Sequence, residues 1–151
     1  MRESTESTTW IREIVIGKSG LSQKLAIVLT ILRLLFGLWM AQAGLNYFLR
    51  VYPEPALPPE ASLYGQAITA THFMAIAKII EIVGGVALLL NRFVPLGLAI
   101  LLPVSATILW LNVFVSRPWP VKLLGSLTFG ANAVLIAAYW KYFSSLLVYR
   151  T

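Results

Sequence analysis

The sequence predicts an all-α membrane protein of four antiparallel transmembrane helices in an up-down bundle, and three observations support this class. Hydrophobic residues make up 58% of the 151 residues. Charged residues make up 12%, about half the share found in soluble domains, which is too few to cover a water-soluble surface. Four apolar stretches each supply the roughly 20 residues that a helix needs to cross the hydrocarbon core.

The predicted transmembrane domain covers residues 25–143, and its four spans are joined by short connections. Only Asn91 and Arg92 separate the second span from the third, so these two spans must form a tight antiparallel hairpin. The spans are predicted at residues 25–49, 69–90, 93–115 and 122–143.

The predicted tails lie on either side of this domain. Residues 1–24 begin with an acidic, Ser/Thr-rich stretch, unlike the basic start of a secretory signal. Within this tail four apolar residues recur at helical spacing and favour a short interfacial helix: Trp10, Ile11, Ile14 and Val15. Residues 144–151 form the C-terminal tail.

Lysine and arginine near the span ends predict the orientation. By the positive-inside rule, six against three place both tails in the cytoplasm of a bacterial-type inner membrane. The loop at residues 50–68 then faces outward, and its four prolines suit a plain spacer, a structured cap or a partner-docking segment. The six are Arg12, Lys18, Lys24, Arg92, Lys141 and Arg150, and the three are Arg50, Arg117 and Lys122.

Three charged residues inside the spans, Arg33, Lys78 and Glu81, are the candidate ligand-binding or buried-charge cluster. Each costs roughly 2.5–3.5 kcal/mol to insert, so an intramembrane charge is a functional-site hypothesis. Lys78 and Glu81 share a helix face at a spacing of three, although Lys78 could instead snorkel to water. Arg33 and Glu81 are predicted at similar depth and in contact. That contact would be either a structural salt bridge or the setting of a proton-active or ligand-binding carboxylate.

His72, near the outer end of the second span, is a candidate quinone or proton contact, or simply a solvated histidine. It is the single histidine, and the chain has no cysteine and no aspartate, so no metal site or self-contained haem site is expected. We attribute the formal charge of +6 to basic residues at the membrane faces rather than to nucleic-acid binding. No nucleophile–base pair is recognisable, which leaves open whether the chain is an enzyme.

Two segments resemble DoxX/DoxD-type membrane proteins. R-L-L-F-G at residues 33–37 and A-G-L-N-Y-F at 43–48 look like the first span of that family, and K-I-I-E-I-V-G-G-V-A-L-L-L-N-R-F at 78–93 looks like the second. The resemblance extends over about residues 25–143, with Arg33, Gly44 and Glu81 at recurring polar or small positions.

This resemblance implies four transmembrane helices and an association with redox chemistry at the membrane. Some members look like the membrane subunit of a thiosulfate:quinone oxidoreductase, and others join oxidative-stress complexes. In this chain Asn46 and Tyr47 stand where a basic residue often follows the glycine of the first span. Together with the missing cysteines, this departure weakens any transfer of thiol or sulfur chemistry.

The expected function is an accessory or structural subunit of a larger membrane complex linked to electron transfer. The expected partners are the lipid bilayer and other membrane subunits, with no cofactor bound by this chain alone. One alternative is a quinone-reactive oxidoreductase subunit with Glu81 and Arg33 at the quinone headgroup. The other is a small-molecule transporter or lipid-binding membrane protein that uses the same charged cluster.

Overall fold

A computed structural model describes residues 20–53, 59–115 and 118–144, and every regular element in these ranges is a helix. The predicted all-α class is thus confirmed. The predicted interfacial helix at residues 10–15 lies outside the described residues. The elements are α1 (Gly20–Leu49), α2 (Pro59–Ala70), α3 (Phe73–Leu89), α4 (Val94–Trp110) with a π-helical turn (Leu111–Val115), α5 (Trp119–Ala138) and α6 (Trp140–Ser144).

Three helical segments of the described chain are long and apolar enough to cross a membrane, namely Ser22–Leu49, Val94–Val115 and Trp119–Ala138. A fourth is obtained if α2 and α3, which are bent by 91° at a short break, are counted as one span. These are the features of a multi-pass membrane protein.

The bend between α2 and α3 interrupts the second predicted span, residues 69–90. The Thr71 hydroxyl bonds back to the carbonyl oxygens of Ala67 and Ile68, and His72 then adopts a left-handed conformation with φ 57°. The start of the predicted span therefore belongs to α2. The hydropathy of the sequence does not predict this bend, because the bend depends on local backbone conformation rather than on apolar content.

The four long helices are arranged so that α1 and α4 each pack against both α3 and α5. Gly37 of α1 faces Leu88 of α3, and Gly44 faces Ile82, so contacts between these helices run in opposite order along the chain. The same holds between α4 and α5, since Ser105 bonds to Asn132 and Asn112 faces Gly125. Helix α2 lies against α3 and the π-helical turn.

Glycines set the close spacing of α1 and α3. A Cβ atom added at Gly44 would lie 2.7 Å from the carbonyl oxygen of Lys78, and one added at Gly85 would lie 2.6 Å from that of Gly37. These neighbours are backbone atoms, which cannot rotate away. Small residues of this kind let membrane helices approach closely.

The apolar core fills the half of the bundle next to the turn at Asn91 and Arg92. Its buried residues come from all four long helices, and Leu32, Tyr139 and Phe143 pack around it. The buried set is Phe36, Met40, Leu88, Val94, Leu98, Leu101 and Leu135.

Helix α1 extends beyond this core. Arg33 contacts Asn91 in the turn between α3 and α4, so the α1 residues before Arg33 project past that turn, with Ser22–Ile31 spanning about 15 Å at 1.5 Å per residue. We call this segment the α1 extension. Four of its large apolar side chains are more than half exposed, namely Leu25, Ile27, Val28 and Ile31, while Leu29 is half-buried.

Candidate functional site: a polar layer inside the bundle

The structure brings two of the three predicted cluster residues together. Lys78 Nζ lies 3.0 Å from Glu81 Oε1 and 2.9 Å from Oε2, so the ammonium group bonds to both carboxylate oxygens. The Glu81 side chain is 3% exposed, whereas that of Lys78 is 20% exposed. The lysine thus connects an interior carboxylate to the outer surface of the bundle.

Arg33 lies elsewhere, and its predicted contact with Glu81 is not formed. Its Nη1 donates a hydrogen bond to Asn91 Oδ1, and its buried Nε has no partner among the described residues. Asn91 lies about 15 Å further along the chain direction of α3 than Glu81, at 1.5 Å per residue. The prediction assumed that the first span begins at the depth at which the second span ends. Instead α1 is shifted along its axis, so that Gly44 lies opposite Lys78 and Ile82.

A second buried polar contact joins α4 to α5. Asn132 Nδ2 donates to Ser105 Oγ at 2.9 Å, and both residues are fully buried. Ser105 in turn donates to the carbonyl oxygen of Leu102 at 3.0 Å. The Asn132 Oδ1 atom is buried and has no partner in the described chain, so it is free to accept a hydrogen bond.

These two contacts lie at the same level of the bundle. Gly84 of α3 faces Leu101 of α4. Gly97 of α4 faces Ala87 of α3, so contacts between α3 and α4 also run in opposite order along the chain. The residue one turn before Gly84 and the residue one turn after Leu101 therefore lie at the same level. These two residues are Glu81 on α3 and Ser105 on α4. With Asn132 bonded to Ser105, these three residues form what we call the polar layer.

The interior stays polar on the far side of this layer from the apolar core. Thr128 lies one turn from Asn132 on α5 and is buried. A turn further, the Asn112 side chain fills the space beside Gly125. Polar side chains in the bundle therefore continue beyond the polar layer on the side away from the apolar core.

His72, the remaining predicted site residue, lies at the α2–α3 bend and is exposed. Its side chain makes no capping hydrogen bond to α3. Nine residues of helix separate it from Glu81, which is about 13 Å along the axis. The proposed quinone or proton contact at His72 thus remains a prediction about an exposed residue, apart from the polar layer.

A cavity of about 420 Å³ opens at the end of α1, and sequence reasoning missed it. From the sequence, Asn46 and Tyr47 serve only to compare the chain with DoxX/DoxD-type proteins, and Arg50 only to predict the orientation. The signal that could have revealed the cavity is their clustering where an apolar span meets a proline-rich loop. The cavity is lined by Asn46, Tyr47, Arg50, Tyr52, Pro53 and Thr69.

Neither a metal-ligand group nor a known relative adds to this site. Within the described ranges, no group of three or more His, Cys, Asp or Glu side chains could hold a metal ion. Comparison with protein-family models, with curated proteins and with solved structures finds no match to this chain.

Proposed function

We propose that this protein is an accessory or structural subunit of a larger membrane complex linked to electron transfer. It acts in a bacterial-type inner membrane as an antiparallel four-helix bundle with both tails in the cytoplasm. The link to electron transfer rests on the DoxX/DoxD-like residues at 33–37, 43–48 and 78–93, and the need for partners rests on the shape of the bundle.

The α1 extension is the observation that carries the partner role. It runs past the turn at Asn91, and most of its large apolar side chains are exposed, with Leu25, Val28 and Ile31 all more than half exposed. A large exposed apolar surface of this kind marks contact with lipid or with another protein. A partner subunit packed along it would bury this surface.

The experiment is purification of the tagged protein from its native membrane in mild detergent, read by mass spectrometry and by an absorption spectrum. Stoichiometric partners with haem, flavin or pigment bands support the proposal. A lone colourless protein contradicts it. In that case uptake or lipid binding by proteoliposomes tests the transporter and lipid-binding alternatives.

Two valine variants locate the partner surface. Val28 in the α1 extension and Val83 in α3 are 58% and 54% exposed, so Val28→Trp and Val83→Trp add the same bulk to comparable apolar surfaces. We expect Val28→Trp to release the partner and Val83→Trp to retain it. Equal retention by both variants would remove the α1 extension from the interface.

The polar layer supports a second candidate, a quinone-reactive role within such a complex. The Lys78 ammonium group can donate a hydrogen bond to a quinone carbonyl oxygen. The Glu81 carboxylate and the unpartnered Asn132 Oδ1 can accept a hydrogen bond from a quinol hydroxyl. An ionisable pair facing the bundle interior is the usual mark of a functional site in a membrane protein.

The test of this second role is quinone-dependent activity of the intact complex carrying Glu81→Gln. We expect a clear loss of activity, because the variant keeps the size of the side chain but removes its charge. Lys122→Gln, an exposed lysine of α5, serves as the control and should leave the activity unchanged. Unchanged activity in Glu81→Gln would rule the quinone role out.

A further inference from the structure

We propose that the cavity beside Arg50 binds a phosphate-bearing anion, carried either by a lipid headgroup or by a soluble phosphate ester. This site is distinct from the polar layer, and the inference does not depend on the function proposed above. Its volume of about 420 Å³ falls in the range of small-molecule pockets, about 300–1,000 Å³.

The wall of the cavity is a structured turn at the end of α1. Asn46 Oδ1 accepts the Tyr52 backbone N–H at 2.8 Å, and Asn46 Nδ2 donates to the Tyr52 carbonyl oxygen at 3.2 Å. Between them, Arg50 takes a left-handed conformation with φ 50° while its backbone N–H bonds to the Asn46 carbonyl oxygen at 2.8 Å. The chain is thereby folded back over the helix end, so little ordering is needed when a ligand binds.

The chemistry of the lining is that of an anion site. Arg50 presents five N–H donors in a planar fork that matches the oxygens of a phosphate. Tyr47, Tyr52 and Thr69 add hydroxyl groups, and none of the lining residues that the structure describes is a carboxylate. Among the described residues, no hydrogen bond or ion pair engages the Arg50 guanidinium, which leaves it available to a ligand.

The position of the cavity suits a ligand at the membrane surface. Phe48 and Leu49 end the apolar span of α1 and are exposed, and tyrosines favour the headgroup level of a bilayer. Thr69, near the end of α2, also lines the cavity. A headgroup in the cavity would leave its acyl chains along the exposed apolar surface of α1.

The experiment measures ligand binding to the purified full-length protein in detergent by native mass spectrometry. Phosphatidylglycerol, phosphatidylcholine and soluble glycerol phosphate are compared for the unmodified protein, Arg50→Gln and Arg92→Gln. Arg92 is the control because it is an exposed arginine in the turn between α3 and α4. Circular dichroism and monodisperse elution confirm that each variant is folded.

We expect phosphatidylglycerol to bind more tightly than phosphatidylcholine, and Arg50→Gln to weaken its binding about tenfold or more, as for loss of a charge-assisted hydrogen bond. Arg92→Gln should change nothing. Binding of glycerol phosphate that also depends on Arg50 assigns the site to soluble phosphate esters, whereas binding of the lipid alone assigns it to headgroups.

Two results would overturn the proposal: equal binding by Arg50→Gln and the unmodified protein, or an equal loss in Arg92→Gln. If Arg50→Gln does not fold, Arg50→Lys and Thr69→Val replace it. The lysine variant keeps the charge without the fork, and the valine variant removes only a hydroxyl group. Both should weaken binding several-fold, and full binding by both would contradict the site.

Discussion

At the scale of single residues, the Lys78–Glu81 pair shows how this chain places a carboxylate inside a membrane bundle. Removing a carboxylate from water costs several kcal/mol, which its ion pair must offset. The two short contacts to Lys78 Nζ, at 3.0 and 2.9 Å, provide that compensation. Because the lysine is only partly buried, its long side chain can reach the interior carboxylate from the bundle surface.

The pair should therefore be more sensitive to loss of one partner than to loss of both. We expect Lys78→Met to lower the free energy of unfolding in detergent by about 3–5 kcal/mol, since it leaves Glu81 buried and unpaired. The double variant Lys78→Met/Glu81→Gln should be less destabilised, because no uncompensated charge remains. Reversible unfolding measured by circular dichroism gives both values. A double variant destabilised as much as Lys78→Met, or more, would mean that the two side chains do not compensate each other.

Arg33 and Asn91 form the second informative contact at this scale. Asn91 has a left-handed backbone, φ 54°, and its Oδ1 accepts a hydrogen bond from the Arg33 guanidinium. Asn91→Gly suits the backbone but leaves Arg33 without its acceptor, so we expect a loss of about 1.5–3 kcal/mol. Asn91→Asp keeps an acceptor and adds an opposite charge, and it should preserve or raise stability in the same unfolding experiment. A more stable Asn91→Gly variant would show that backbone strain outweighs the contact.

At the scale of elements, the α1–α3 contact depends on glycines at specific positions. A Cβ atom at Gly85 would approach the backbone nitrogen of Ala41 and the carbonyl oxygen of Gly37 at 2.6 Å each, whereas one at Gly130 would have nothing within 4 Å. Gly85 thus lies at a close contact between two helices, whereas Gly130 lies in open space. Substitutions at these two positions can therefore be compared directly.

We expect Gly85→Ala to destabilise the protein by about 1–3 kcal/mol, the usual effect of overpacking. Gly130→Ala should be neutral or stabilising by up to about 1 kcal/mol, because alanine favours a helix interior over glycine. Thermal unfolding of the two variants in the same detergent provides the comparison. Equal effects of the two substitutions on stability would indicate that α1 and α3 can move apart without destabilising the protein.

The elements also show what the sequence could predict. The apolar stretch at residues 93–115 matches α4 and its π-helical turn closely, because length and hydropathy define a span. The contact of Arg33 was predicted wrongly, since the axial shift of α1 depends on how glycines such as Gly44 pack. The cavity at Arg50 was missed because it forms only when the chain after α1 folds back, and hydrophobic periodicity does not encode that turn.

At the scale of the whole molecule, the order of the helices makes the orientation testable. The chain has no cysteine, so single cysteines can be introduced into an otherwise thiol-free protein. Arg92 precedes α4 and Lys122 lies in the first turns of α5, so the membrane-length segment Val94–Val115 separates them. Both are exposed.

We expect Arg92→Cys to react with a membrane-impermeant maleimide from the cytoplasmic side and Lys122→Cys from the opposite side, following the excess of basic residues. Leu101→Cys, at a fully buried position, is the unreactive control. Labelling in intact and lysed cells gives the sidedness. Reaction of both exposed cysteines from one side would contradict a crossing by α4.

The unequal helix lengths carry a consequence for the surrounding bilayer. Helix α3 has 17 residues, about 25 Å, whereas Ser22–Leu49 has 28, about 42 Å at 1.5 Å per residue. A typical hydrocarbon core is about 30 Å thick. These two helices pack against each other, so a bilayer whose thickness matches α3 is too thin for α1, and α1 must tilt or the lipids beside it must stretch. The thickness of the bilayer would then influence the tilt of the helices.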